Sequence, residues 1–143
     1  MLVVRNIRAD SLTNVPKKVQ SDKSDVLIKQ FKLNCVFYRQ ASGDEPVRAW
    51  LKALKPESDK KIVGADILAV QLGWPLGLPL VDHLGGGLWE IRSKLENRIA
   101  RVLFALEKGE IVLLHGFIKK TQKTPQHELE VAKDRLSKLR GSK

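Results

Sequence analysis

Leu88-Trp-Glu-Ile-Arg-Ser-Lys-Leu95, Asn97-Arg-Ile-Ala-Arg-Val-Leu-Phe-Ala-Leu-Glu107 and Glu110-Ile-Val-Leu-Leu-His-Gly-Phe-Ile-Lys119 are three consecutive segments rich in β-branched, aromatic and other apolar residues. Glu96-Asn97 and Lys108-Gly109 stand where tight hairpin turns would join them. The three segments therefore predict an antiparallel meander. Ile111–Ile118 is apolar on both parities, which predicts a strand near the middle of the sheet.

Working outward, Asn34-Cys-Val-Phe-Tyr38 has the composition of a further strand. Ser42 and Asp44 are cap candidates for a helix with Pro46 in its first turn, and Val47, Trp50, Leu51 and Leu54 form one apolar stripe. Pro56 opens a second helix in which Val63, Ile67, Val70 and Trp74 share a face, closed by Gly73 and Pro75. These two helices are expected to form an antiparallel hairpin joined at Lys55-Pro56. Residues 75–87 are rich in proline and glycine and predict a loop. The run Gly85-Gly86-Gly87 is not a phosphate loop, because it leads into a strand and lacks the lysine and hydroxyl of that motif. Thr124-Pro125 predicts the cap of a last helix, with Leu129, Ala132, Leu136 and Leu139 as its apolar stripe. The fold class expected is α+β: a small antiparallel sheet packed against a helical hairpin and a C-terminal helix, in the order β-α-α-β-β-β-α.

The chain has 143 residues, with 26 Lys+Arg against 16 Asp+Glu, a formal net charge of +10. Its pI near 9.9 points to a polyanionic partner, with nucleic acid ahead of an acidic membrane. Residues 1–33 carry seven Lys/Arg and three Asp/Glu, a net +4, with weak periodicity. They read as an N-terminal extension with a short helix near Asp25–Phe31, leaving +6 on a folded domain over 34–143. Apolar runs far short of about 20 residues exclude a membrane-spanning helix. Arg5 and Arg8 argue against a secretory signal. Cys35 is the only cysteine, so no internal disulfide forms, and His83, His115 and His127 follow no metal-ligand spacing. A reduced, cytoplasmic setting without metal or other cofactor is the expectation.

Alternate residues of a strand share a face. Glu90, Arg92 and Lys94 should therefore point away from Trp89, Ile91 and Leu95. Arg101 is out of phase with Ala100, Val102, Phe104 and Leu106 and should leave the core face, while Arg98 stands at the strand's mouth. Lys119, Lys120 and Lys123 follow the third strand and add three cations to one rim. Arginines inside strands that otherwise read as core are costly without a task or a partner. A cluster of this kind suits cleavage of RNA by its own 2′-hydroxyl. That reaction needs a proton removed, negative charge stabilised on the phosphorane, and a proton for the departing 5′-oxygen. Arg matches phosphate geometry, and Glu90 or His115 is a candidate for the proton transfers.

Leu88-Trp-Glu-Ile-Arg92, Arg98-Ile-Ala-Arg101-Val-Leu-Phe and the string from Ile111 through Phe117-Ile-Lys-Lys-Thr-Gln-Lys-Thr-Pro125 resemble the HigB/RelE superfamily of toxins, most of all its phage-derived branch. The resemblance covers about residues 34–140. It implies the toxin of a type II toxin–antitoxin pair, an endoribonuclease that cuts mRNA at the ribosome. It also implies a small helix-turn-helix antitoxin, HigA-like, as neutralising partner. The RNA-facing positions it implies are Arg92, Arg98, Arg101, Lys119 and Lys120, with Glu90 and Lys123 beside them. Two features depart from the pattern: no tyrosine follows Tyr38, and the first 33 residues lie outside it. A gyrase-inhibiting toxin of the same superfamily and a non-toxic RNA-binding module are the alternatives.

Overall fold

The computed structural model describes residues 33–119 and 123–141. The reading of residues 1–33 as an extension with a helix near Asp25–Phe31 lies, up to position 32, outside the described residues, and so does the placing of Lys120.

At the centre stands β4 (Arg98–Glu107). It pairs antiparallel with β3 (Leu88–Leu95) on one side and β5 (Glu110–Lys119) on the other, as the meander predicts. Asn97, Lys108 and Gly109 take the positive φ angles that two-residue hairpin turns demand. The sheet is larger than the meander. β1 (Asn34–Phe37) and β2 (Val81–Gly85) complete five strands in the order β1-β5-β4-β3-β2.

Three expectations need correction. The sheet is mixed, because β1 runs parallel to β5, with Cys35 opposite Ile111 and Phe37 opposite Leu113. Strands this far apart in sequence are not tied by a hairpin, so nothing local imposes an antiparallel sense. The stretch read as loop contains β2, whose short run ends in the glycines. Gly85, Gly86 and Gly87 all have positive φ and make a close turn into β3. The described order is therefore β-α-α-β-β-β-β-α. The two early helices, α1 (Pro46–Ala53) and α2 (Glu57–Gly73), do not form a mutually packed hairpin; α1 lies on β5 and α2 on β3.

The stripes predicted for these helices are the ones buried. Val47, Leu51 and Leu54 of the first and Val63, Ile67 and Val70 of the second belong to the core. Trp74 packs edge-on against Trp89 and Phe104 at centroid distances of 4.9 and 5.6 Å. At Ser42 and Asp44 the side chains bond to each other instead of capping α1. The opposite face of the sheet receives α3 (Gln126–Gly141), which buries Ala132 and Leu136 against β5 and β4. Among the described residues no helix is long and apolar enough to cross a membrane.

A β-bulge sets which β5 side chains face which helix. Leu103 opposes His115 while Phe104 opposes Leu113, so Leu114 is the extra residue and the side-chain phase shifts there. Arg135 of α3 donates from Nη1 to the Leu114 carbonyl at 2.7 Å and lies over the Tyr38 ring. Burial lowers the Arg135 guanidinium from its ordinary value, opposed in part by Tyr38 and Asp134. This arginine thus secures the bulge.

Candidate nucleic-acid interface

The pairing registers place nine residues of β3, β4 and β5 on one face of the sheet in three rows: Glu90–Leu103–His115, Arg92–Arg101–Phe117 and Lys94–Ile99–Lys119. This is the face that α3 covers in part, over β5 and β4. The expected phase of Glu90, Arg92, Lys94 and Arg101 is therefore correct. Their environments are not equivalent.

Glu90 and Leu103 of the first row and Arg101 in the middle of the second are closed. Arg101 is 0% exposed and Glu90 is equally buried. Arg101 Nη1 lies 3.3 Å from both Glu90 carboxylate oxygens and donates to Thr124 Oγ1 at 3.0 Å. The same Thr124 hydroxyl donates to Glu90 Oε2 at 2.6 Å. These three side chains close a triangle in which a buried charge meets a buried countercharge, the condition under which burial of either is tolerated. Thr124, read from sequence as a helix cap, is diverted to this triangle. Arg101 and Glu90 therefore do not face solvent as an RNA-contacting patch would, and a carboxylate held this way is not placed to exchange protons with a substrate.

Arg92 is half-buried, with Nη1 4.0 Å from Asp82 of β2, a carboxylate on the same face. Lys94 is exposed and makes no ion pair among the described residues. Lys119 is half-buried and sits in the row of Lys94 two strands away, roughly 10 Å at ordinary strand spacing. Lys123 is exposed just before α3. Arg98 does not join them. It lies on the other face, paired with the buried Asp59 in the first turn of α2. The rim predicted from sequence thus reduces, among the described residues, to Arg92, Lys94, Lys119 and Lys123.

His115 meets α3. Its Nε2 lies 2.5 Å from Glu128 Oε1, its ring stacks on Phe117 at 5.6 Å, and both partners of the pair are half-buried. His127, exposed, approaches the other Glu128 oxygen at 3.3 Å. A histidine whose ring is fixed by a carboxylate is suited to directed proton transfer.

One residue was missed altogether. Asp66 lines an open cleft of about 530 Å³ at the edge of β3, together with Leu78, Pro79, Leu80, Arg92 and Lys94. The cleft lies where β2 has ended: Val81 still pairs with Ile91, and Arg92 N–H donates to the Leu80 carbonyl at 2.8 Å. The signal was in the spacing. Asp59, Val63, Asp66, Ile67 and Val70 fall on one helix face, so two acids interrupt an apolar stripe. Asp59 has Arg98 as partner. Burial raises the Asp66 carboxyl above its ordinary 3.8, and the Ser93 hydroxyl draws it back part of the way.

A raised carboxyl favours the folded state only while protonated, so its cost is absent below the ordinary value and complete above the raised one. Asp66→Asn should accordingly raise the melting temperature at neutral pH, with the gain disappearing as the pH falls below about 4. Thermal melts of parent and variant across that range measure it. A group that costs stability inside a cleft is a candidate for a functional task.

Among the described residues no three His, Cys, Asp or Glu side chains gather as a metal-binding set. A family model described as "Phage derived protein Gp49-like (DUF891)" matches residues 49–137, a span that runs from α1 into α3 and includes every residue of the three rows. Comparison with curated proteins finds no match.

Proposed function

The chain belongs to the phage-derived Gp49-like family, which is associated with the toxins of toxin–antitoxin pairs, and from that premise we propose that it is an endoribonuclease toxin that cuts mRNA, working on the ribosome. One observation carries the reading. Arg92, Lys94 and Lys119 lie on adjacent rows of one sheet face, at the end of β3 away from the buried Leu88 and Glu90.

Such a strip suits a ribose-phosphate chain. In the proposed reaction the 2′-oxygen attacks phosphorus as its proton leaves to a base. The bond to the 5′-oxygen then breaks as that oxygen gains a proton, leaving a 2′,3′-cyclic phosphate and a 5′-hydroxyl. The guanidinium of Arg92 and the ammonium groups of Lys94 and Lys119 stabilise the negative charge that grows on the phosphorane oxygens. His115, oriented by Glu128, is the acid–base group in place of Glu90, which is locked against Arg101. Lys123, exposed just before α3, extends the path for flanking phosphates. Arg101 acts indirectly, holding Thr124 and with it the start of α3. No metal or other cofactor takes part in this scheme. Its neutralising partner is a small helix-turn-helix antitoxin that covers the same strip.

Inducing the chain without an antitoxin should arrest growth. The double variant Arg92→Ala, Lys119→Ala should grow like uninduced cells while melting close to the parent, since neither residue belongs to the core. A folded double variant that remains fully toxic would remove this strip from the mechanism.

A further inference from the structure

The cleft beside β3 mixes chemistries in a way that phosphate binding alone does not require. Arg92 and Lys94 supply cations, Leu78 and Pro79 supply an apolar wall, and Asp66 supplies a carboxylate. Leu78 is 64% exposed, the most exposed large apolar side chain of the described residues. A carboxylate next to a phosphate site repels the phosphate, so its place there calls for a donor on the ligand. The 530 Å³ of the cleft falls in the range of small-molecule sites, about 300–1,000 Å³.

We propose that this cleft holds one unstacked nucleotide of single-stranded RNA, with its phosphate on Arg92 and Lys94, its base against Leu78 and Pro79, and a base amino group donated to Asp66. The inference rests on the RNA-cleaving reading of the same strip and adds which bases it admits. Adenine, cytosine and guanine each carry an exocyclic amine that a carboxylate accepts, and guanine offers a second N–H beside it. Uracil presents carbonyl oxygens on both sides of its single N–H, which a carboxylate repels. Asp66 is thus a specificity-determining residue that disfavours uridine. Burial of its carboxyl fits the task, because a half-dry acceptor discriminates more sharply between a donor and another acceptor.

The test titrates the full chain with the four 5′-mononucleotides, and separately with short single-stranded RNAs of A, C, G or U, following backbone amide signals by NMR. Amides of residues 78–80 and 92–94 should move with AMP, CMP and GMP, and UMP should bind about tenfold more weakly. Asp66→Asn should remove that difference, while Arg92→Ala should weaken all four ligands alike; its amide spectrum shows whether each variant is folded. Oligomers that shift the cleft when free nucleotides do not would still support the site, as one that needs the continuous chain. Shifts confined to other parts of the protein, UMP bound as well as the rest, or an Asp66→Asn variant that keeps the parent's preference would each overturn the proposal. The two readings fail separately. Base discrimination without transcript cleavage in cells removes the nuclease reading, and cleavage without binding in the cleft removes the nucleotide pocket.

Discussion

Arg101→Met will lower the stability of the domain by about 3–5 kcal/mol, because it leaves Glu90 buried without its countercharge. That is a large share of the roughly 5–15 kcal/mol that holds a domain of this size together, and the melting temperature should fall by about 15 °C or more. Glu90→Leu alone should cost a similar amount by stranding Arg101. Combining Arg101→Met with Glu90→Leu should recover most of the loss, since two apolar side chains in place of a buried pair are often neutral. Denaturant midpoints of the two single variants and the double variant measure the coupling. Any loss of toxicity in Arg101→Met is then a consequence of misplacing Thr124 and α3, or of unfolding. A variant that melts like the parent yet has lost activity would instead make Arg101 a direct contact to RNA.

The second large effect is Gly116→Ala. A methyl group built on Gly116 would stand 2.5, 2.7 and 2.8 Å from three atoms of the Trp50 indole, closer than packed carbon atoms approach. The indole is wedged between α1 and β5, so relief requires the helix to lift from the sheet. Overpacking of this kind costs about 1–3 kcal/mol, and a ring trapped under a helix belongs at the upper end. Trp50→Leu in the Gly116→Ala background should return part of the stability, although Trp50→Leu alone destabilises by opening a void. Additive losses in the double variant would show that the two residues do not meet as described.

Local chemistry made the meander legible. Alternation in Leu88–Leu95, the turn residues Asn97 and Lys108-Gly109, and the helix stripes all encode short-range geometry, and each appears where its pattern puts it. What resisted reading was long-range. The parallel pairing of β1 with β5 joins residues 76 positions apart, and β2 is too short and glycine-bound to show period-two alternation. The site divides the same way. Phase placed Glu90, Arg92, Lys94 and Arg101 on one face, yet phase says nothing about what lies over that face. Thr124, just before α3, closes over the Glu90–Arg101 pair, while Arg92 and Lys94 further along β3 keep access to solvent, a fact of tertiary packing. Arg98 stands in phase with Ala100 and Val102 on the opposite face, where it pairs with Asp59, an acid whose position in an apolar stripe was a visible but unused sign. Asp66 gave the same sign and marks the cleft.

Mapping transcript ends by primer extension after induction tests the central claim most directly, with the parent compared against the Arg92→Ala, Lys119→Ala variant. The parent should produce new 5′ ends at discrete positions within translated regions, and the variant should produce none while remaining folded. Intact transcripts in growth-arrested cells, accompanied by DNA breaks, would contradict an RNA-cleaving toxin and favour a gyrase inhibitor in its place.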